Sequence, residues 1–348
     1  MNVVAFALLA AMLVTYALLD GYDLGVGAVV RLFARSDDER GAAIASIGPF
    51  WNGNEVWLIA AGGVLFAFFP RAYASSFSGF YLPLMVMLWL LMFRGIALEL
   101  RGHYAGRLWH DFWDWAFSLS SAALALILGV ALGNLLRGLP LDAHGNFSGT
   151  FARLLNPYAL AVGAFSLIVL AQHGWCFLRM SLPQAPARSN LGRGLWLSAL
   201  TLEVVVTAWT FAAHPLGGPK LIVAGILGCV AFLALLAVDF LERQRKVVAA
   251  FGASSACIAT LLGAAVATLY PYLIPSSSGA PGLTIFDAAP SGEALVGIVV
   301  IVVIGLITVY SYLIVVLRRL STTAVDANGR FGKGPAAVGS VAKFKRDT

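Results

Sequence analysis

The sequence predicts an all-α, polytopic membrane protein on two grounds. Sixty per cent of the 348 residues are apolar and 11% charged, with a mean hydropathy of +0.85, which leaves too little polar surface to cover a water-soluble globule. Nine stretches are long enough to cross a bilayer core, which takes roughly 20 apolar residues per helix. They centre on residues 3 to 33, 50 to 69, 76 to 98, 115 to 136, 157 to 179, 195 to 213, 221 to 241, 247 to 270 and 294 to 317.

The first stretch reads as a helix and not a signal peptide: MNVV supplies no basic n-region, the apolar run is too long, and no small-residue cleavage site precedes its acids. At about 1.5 Å per residue it spans roughly 45 Å, so it must tilt or project. The second opens "GPFWNGNEVWL". Between the third and fourth lies "LWHDFWDWAF", whose Trp109, Trp113 and Trp115 fit an interfacial aromatic belt. The fifth holds "LAQHGWCFL" and the sixth "WLSALTLEVVVTAW". Cys176, Cys229 and Cys257 fall inside spans and act as small apolar residues, with no disulfide framework or metal cluster implied. Before the ninth stretch, residues 270 to 293 are rich in Pro, Ser and Gly, which favours a fixed, extended path. Residues 1–320 thus read as a single transmembrane domain of nine helices, and the Gly-rich, basic residues 321–348 as a disordered tail.

Basic residues set the orientation. Nineteen of the 23 Lys and Arg belong to the connections after stretches one, three, five and seven and to the tail, and four to the other connections. The N-terminus is therefore expected outside and the C-terminus in the cytoplasm. The net charge of +6 reports that topology, and nucleic-acid binding is not needed to explain it.

Asp20 and Asp23 are the candidate functional acids. They sit inside the first stretch, with apolar residues continuing from Leu24 to Phe33 interrupted by Arg31 alone. An intramembrane acid is functional by default; an interfacial polar end is the alternative. The second stretch carries Asn52 and Glu55, again three apart and so on one helix face. With the connecting loop centred near residue 37, Asp23 is 14 residues back and Asn52 15 forward, while Asp20 is 17 back and Glu55 18 forward. All four arrive at one depth and form one cluster if their faces turn together, a rotation that spacing does not fix. Ionised carboxylates in hydrocarbon are expensive, so such a cluster holds protons or touches water, as a proton relay opening to the cytoplasm would.

A second pair, His173 and Glu203, also reaches matched depth across a loop centred near residue 187. They either pair or make separate backbone and water contacts. The five histidines suit no bis-histidine haem: His103 and His110 fall in a cytoplasmic connection, His144 and His214 on the outer side, and only His173 within the membrane. Met12, Met85, Met87 and Met92 read as packing. No haem ligand is expected in this chain.

"DGYDLGVG" followed by "IGPFWNGNEVWLIAAGGVLFAFFP" resembles subunit II of cytochrome bd-type quinol oxidases, and "FSGFYLPL", "GVALGNLLRGLP", "LLNPYALAVG", "YPYLIPS" and "LTIFDAAPS" follow in that family's order. The resemblance implies two four-helix bundles plus a peripheral helix in the bacterial inner membrane, and a homologous subunit I as partner, often with a small single-helix subunit. Haem b and haem d are implied in the partner and none in this chain. Such complexes oxidise quinol, reduce dioxygen to water in the respiratory chain and draw their chemical protons from the cytoplasm. By the same resemblance Asp20, Asp23 and the polar start of the second helix belong to a proton path, and Trp57 to an oxygen entrance on the lipid side. The family motif reads W-D-G-N, whereas Asn52 stands here in place of the aspartate; asparagine can order a water but not release a proton, so Glu55 is the candidate replacement. The competing class is a proton-coupled transporter using the same acids, against which stand the odd helix count and the absence of paired, broken segments.

Overall fold

The computed structural model describes residues 1–182, 189–213, 217–290 and 292–324. Twelve helices carry nearly all of it: α1 (Asn2–Phe33), α2 (Asp37–Ile47), α3 (Trp51–Phe68), α4 (Pro70–Gly79), α5 (Tyr81–Leu100), α6 (Arg107–Arg137), α7 (Phe151–Leu154), α8 (Pro157–Ser181), α9 (Ser189–Ala213), α10 (Pro219–Arg243), α11 (Val247–Leu269) and α12 (Gly292–Ala324). Residues 1–290 fall in one compact unit and α12 in another.

Eight helices among the described residues are long and apolar enough to cross a membrane. The stretch at 50 to 69 is helical too, as α3, but it is 18 residues long and its first turns spend Asn52, Asn54 and Glu55, which dilute its hydropathy. The third stretch divides: α4 ends at Gly79, and α5 starts at Tyr81 after a break at Phe80. Ser321–Ala324, assigned above to the tail, continue α12, and the rest of the tail lies outside the described residues.

In the first unit α1 packs on α3, α6 and α8, α5 packs on α6, and α8 to α11 form a second group. α1 and α8 are the central pair. Every residue from Asp20 to Gly27 of α1 is buried, as is every residue from Val169 to Leu178 of α8. Their contact is backbone on backbone, because a Cβ on Gly25 would stand 1.9 Å from the Leu170 carbonyl and one on Gly174 2.2 Å from the Gly25 carbonyl carbon. Small residues let membrane helices approach this closely where no hydrophobic force drives them together.

The connection from α1 to α3 is itself a helix. Ser36 caps α2, its hydroxyl accepting from the Glu39 N–H at 3.1 Å while the Glu39 carboxylate accepts from the N–H groups of Arg35 and Ser36; reciprocal satisfaction of this kind starts a helix firmly. At the opposite helix ends, strand β1 (Tyr272–Ile274) pairs antiparallel with β2 (Leu283–Thr284), and Leu139 bonds to the Pro275 carbonyl at 2.8 Å. The Pro-rich connection is thus tied to the α6–α8 connection.

A buried ion pair as the candidate functional site

Asp20, Asp23 and Arg94 have no solvent-exposed surface. Arg94, on α5, donates through Nη1 to Asp20 Oδ2 at 2.9 Å and through Nη2 to Asp20 Oδ1, a bidentate pair, and Nη2 lies 3.9 Å from Asp23 Oδ2. Bidentate geometry is what makes arginine suited to a buried carboxylate. From α3, Asn54 Nδ2 reaches Asp23 Oδ2 at 2.8 Å, the Tyr22 hydroxyl at 2.7 Å and the Leu19 carbonyl at 3.3 Å. Asp23 Oδ1 and Arg94 Nε are buried with no hydrogen-bond partner among the described residues.

One expectation changes here. Asn52 is exposed, and Asn54 enters the cluster in its place. The two positions are about 200° apart around a helix, and it is the Asn54 face of α3 that turns toward Asp23. Glu55 is half-buried and within electrostatic reach of Arg94 and Asp20. Trp57 is buried, three residues beyond Asn54 and so on the same face of α3. Arg94 is the residue that sequence reasoning missed, because attributing each basic residue to its nearest connection places it outside the span.

His173 and Glu203 do not pair. His173, fully buried on α8, has Nδ1 2.9 Å from the Ser254 hydroxyl and Nε2 3.1 Å from the Leu18 carbonyl, and its ring stacks on Phe251. It faces α1 and α11. Glu203 faces the other way, into an apolar cavity of about 680 Å³ lined by Phe165, Thr207, Cys229 and Leu262 among others, with Oε2 lacking a hydrogen-bond partner among the described residues. Matched depth held no information about rotation. His214 lies outside the described residues.

A second polar network ties α2 to the start of α6. Buried Asp114 accepts from Arg40 Nε at 2.7 Å and Arg101 Nε at 2.6 Å. Arg101 Nη2 also donates to Asp37 Oδ1 at 2.6 Å, and His110 Nδ1 lies 2.8 Å from Asp37 Oδ2. Partial burial would raise the Asp37 carboxyl, but the His110 hydrogen bond and the charges of Arg101, His110 and Arg40 outweigh it and hold Asp37 below its ordinary value. The expected tryptophan anchors divide: Trp115 is exposed beneath the Arg31 guanidinium at 4.3 Å, Trp113 is buried, and Trp109 bonds to the Leu100 carbonyl at 2.8 Å.

Apolar spanning helices around a fully buried carboxylate–arginine cluster define a multi-pass membrane protein with ion-paired charge buried among its helices. Residues 1–320 match the family model for cytochrome bd terminal oxidase subunit II. The chain belongs to that family, and is therefore a subunit of a terminal quinol oxidase in the bacterial inner membrane. It is 32% identical to cytochrome bd-I ubiquinol oxidase subunit 2 of Escherichia coli K12, over 88% of this chain and 91% of that one. It is likewise 32% identical to cytochrome bd ubiquinol oxidase subunit 2 of Bacillus subtilis, over 83% and 87%. A chain of the bd oxidase structure from Geobacillus thermodenitrificans shares the fold, with a TM-score of 0.73 at 20% identity, covering 92% of this chain and 98% of that one.

Proposed function

We propose that this chain scaffolds a haem-bearing subunit I and supplies part of the path by which protons reach it, with Asp23 as the group that takes up and passes on each proton. The observation that carries this reading is the charge balance: two carboxylates and one guanidinium, all without exposed surface, leave one negative charge over. A proton on Asp23 removes the surplus, and the unbonded Asp23 Oδ1 is the atom with room for it. Arg94 holds Asp20 ionised, Asn54 and Tyr22 orient Asp23, and Glu55, half-buried one turn from Trp51, receives protons from the aqueous side. The N-terminus is placed outside and the C-terminus in the cytoplasm. Residues 1–320 belong to the transmembrane domain of nine helices, and the residues after α12 to a cytoplasmic tail.

Haem b and haem d are assigned to the partner, and quinol serves as the electron donor. In support, both ring nitrogens of the intramembrane His173 are already committed to Ser254 and Leu18. Trp57 is assigned to oxygen access. A small single-helix subunit, membrane lipid and quinone are the further partners. The test is Asp23→Asn in the purified complex, read by haem content and quinol-driven oxygen uptake. The relay predicts unchanged haem with uptake slowed by about tenfold or more; loss of haem would show that the acid serves assembly instead, and unchanged uptake would remove Asp23 from the path.

A further inference from the structure

A polar basin of about 350 Å³ opens where the ends of α8, α9 and α10 meet, lined by Gln172, Arg179, Arg193, Asp239, Glu242 and Arg245 among others. Its charges do not cancel. Arg243 is bound to Asp239 at 2.7 Å, and Arg179 is within electrostatic reach of Glu242. Arg193 and Arg245 are exposed at the rim with no carboxylate of their own among the described residues, so the basin presents a surplus of two positive charges.

Three further features mark it as built for a ligand. Arg245 holds φ at +60°, in the turn where its N–H bonds to the Glu242 carbonyl and that of Lys246 to the Leu241 carbonyl. Helices that end this way favour glycine at such a position, because a Cβ there crowds the backbone. Second, Gln172 is 2% exposed and lines the basin, yet its Oε1 has no hydrogen-bond partner among the described residues, a buried acceptor awaiting a donor. Third, Phe240, Leu236 and Leu233 are exposed on the face of α10 beside Arg243, an apolar stripe leading from the basin along the membrane-spanning surface.

We propose that this basin binds an anionic phospholipid with a hydroxylated headgroup. The phosphate sits between Arg193 and Arg245, an acyl chain follows the α10 stripe, and a headgroup hydroxyl donates to Gln172 Oε1 once that amide turns from its buried position toward the basin. Basic pockets between helix ends at a membrane face recognise anionic headgroups, and the polar lining of the basin suits a headgroup and not the chains. The inference rests on the chain's place in the membrane and on no step of the proton path.

The experiment is native mass spectrometry of the complex purified through a tag on this chain and delipidated, titrated with dioleoyl phosphatidylglycerol, dioleoyl phosphatidate, dioleoyl phosphatidylcholine or inorganic phosphate. Phosphatidylglycerol is expected to bind one site more tightly than phosphatidylcholine, and the Arg193→Gln/Arg245→Gly pair to weaken it by about thirtyfold, the weight of two arginines at a membrane face. Arg245→Gly relaxes the turn, so lost binding will not report misfolding. Gln172→Leu is expected to weaken phosphatidylglycerol and leave phosphatidate, which lacks the glycerol hydroxyls, unchanged. Arg107→Gln, at a residue 95% exposed on α6, is expected to change nothing. Equal loss in Arg107→Gln, no preference for phosphatidylglycerol, or equal competition by inorganic phosphate would each overturn the proposal.

Discussion

Arg94 grips both carboxylate oxygens of Asp20 across 74 residues of sequence, with neither side chain exposed. Two desolvated charges held this way are costly to separate, because removing one strands the other. Arg94→Gln leaves Asp20 and Asp23 facing each other without a cation and is expected to destabilise the subunit by about 3–5 kcal/mol. Arg94→Lys retains the charge but loses the fork, and is expected to fall in between. Thermal unfolding of the purified complex, with the yield of assembled complex, measures both.

Asn54, on α3, hydrogen-bonds into this cluster, serving Asp23, Tyr22 and the Leu19 carbonyl from a single nitrogen. Asn54→Leu keeps the volume and withdraws the donor, so Asp23 Oδ2 loses its closest neutral partner. A loss of about 1–3 kcal/mol is expected, the penalty of an unsatisfied buried acceptor. Asn52→Leu, at the exposed position, is expected to change thermal stability by less than about 0.5 kcal/mol, and the contrast between the two checks which asparagine holds the cluster.

The helices were legible because hydropathy is a property of segments, and nine segments announced themselves. Asp20 and Asp23 were legible because acids in an apolar run are rare. Arg94 was not, although its signal was present: it lies six residues inside the end of α5, within "LLMFRGIALEL", and a cation so placed requires an anion at its own depth, which helix one supplies twice. Depth can be counted along a chain, but rotation about a helix axis cannot. For that reason spacing offers Asn52 where Asn54 stands, and leaves open whether Glu203 meets His173, which in the structure faces the opposite way. The Asp37–Arg101–His110 network is tertiary, joining three elements whose spacing carries no pattern.

The crossing of α1 and α8 depends on two hydrogens. At Gly25 a methyl group would overlap the Leu170 carbonyl, and at Gly174 the Gly25 backbone. Gly25→Ala and Gly174→Ala are therefore each expected to force the central helices apart and to cost more than about 3 kcal/mol, beyond ordinary overpacking because backbone cannot rotate away. Gly228→Ala, at a position with open space around it, is the control and is expected to be neutral or slightly stabilising. Yield of assembled complex and resistance to thermal aggregation separate the three.

Asp37 makes part of the stability pH-dependent, with a definite sign. Its carboxyl is held below its ordinary value in the folded chain, so the folded state favours the ionised form and the unfolded state binds the proton more readily. The contribution is fully present above the ordinary carboxylate value near 3.8 and is lost as pH falls through the lower folded value. Asp37→Asn is expected to lower the unfolding temperature at neutral pH and to flatten its fall between about pH 4 and 3. Its side chain is 44% exposed, so salt screens the effect: raising ionic strength should narrow the difference between Asp37→Asn and the native chain. Thermal unfolding across that window at two salt concentrations checks both. A difference that persists undiminished at high salt would assign the stabilisation to the helix α2 start, where Asp37 occupies the first turn, and not to Arg101, Arg40 and His110.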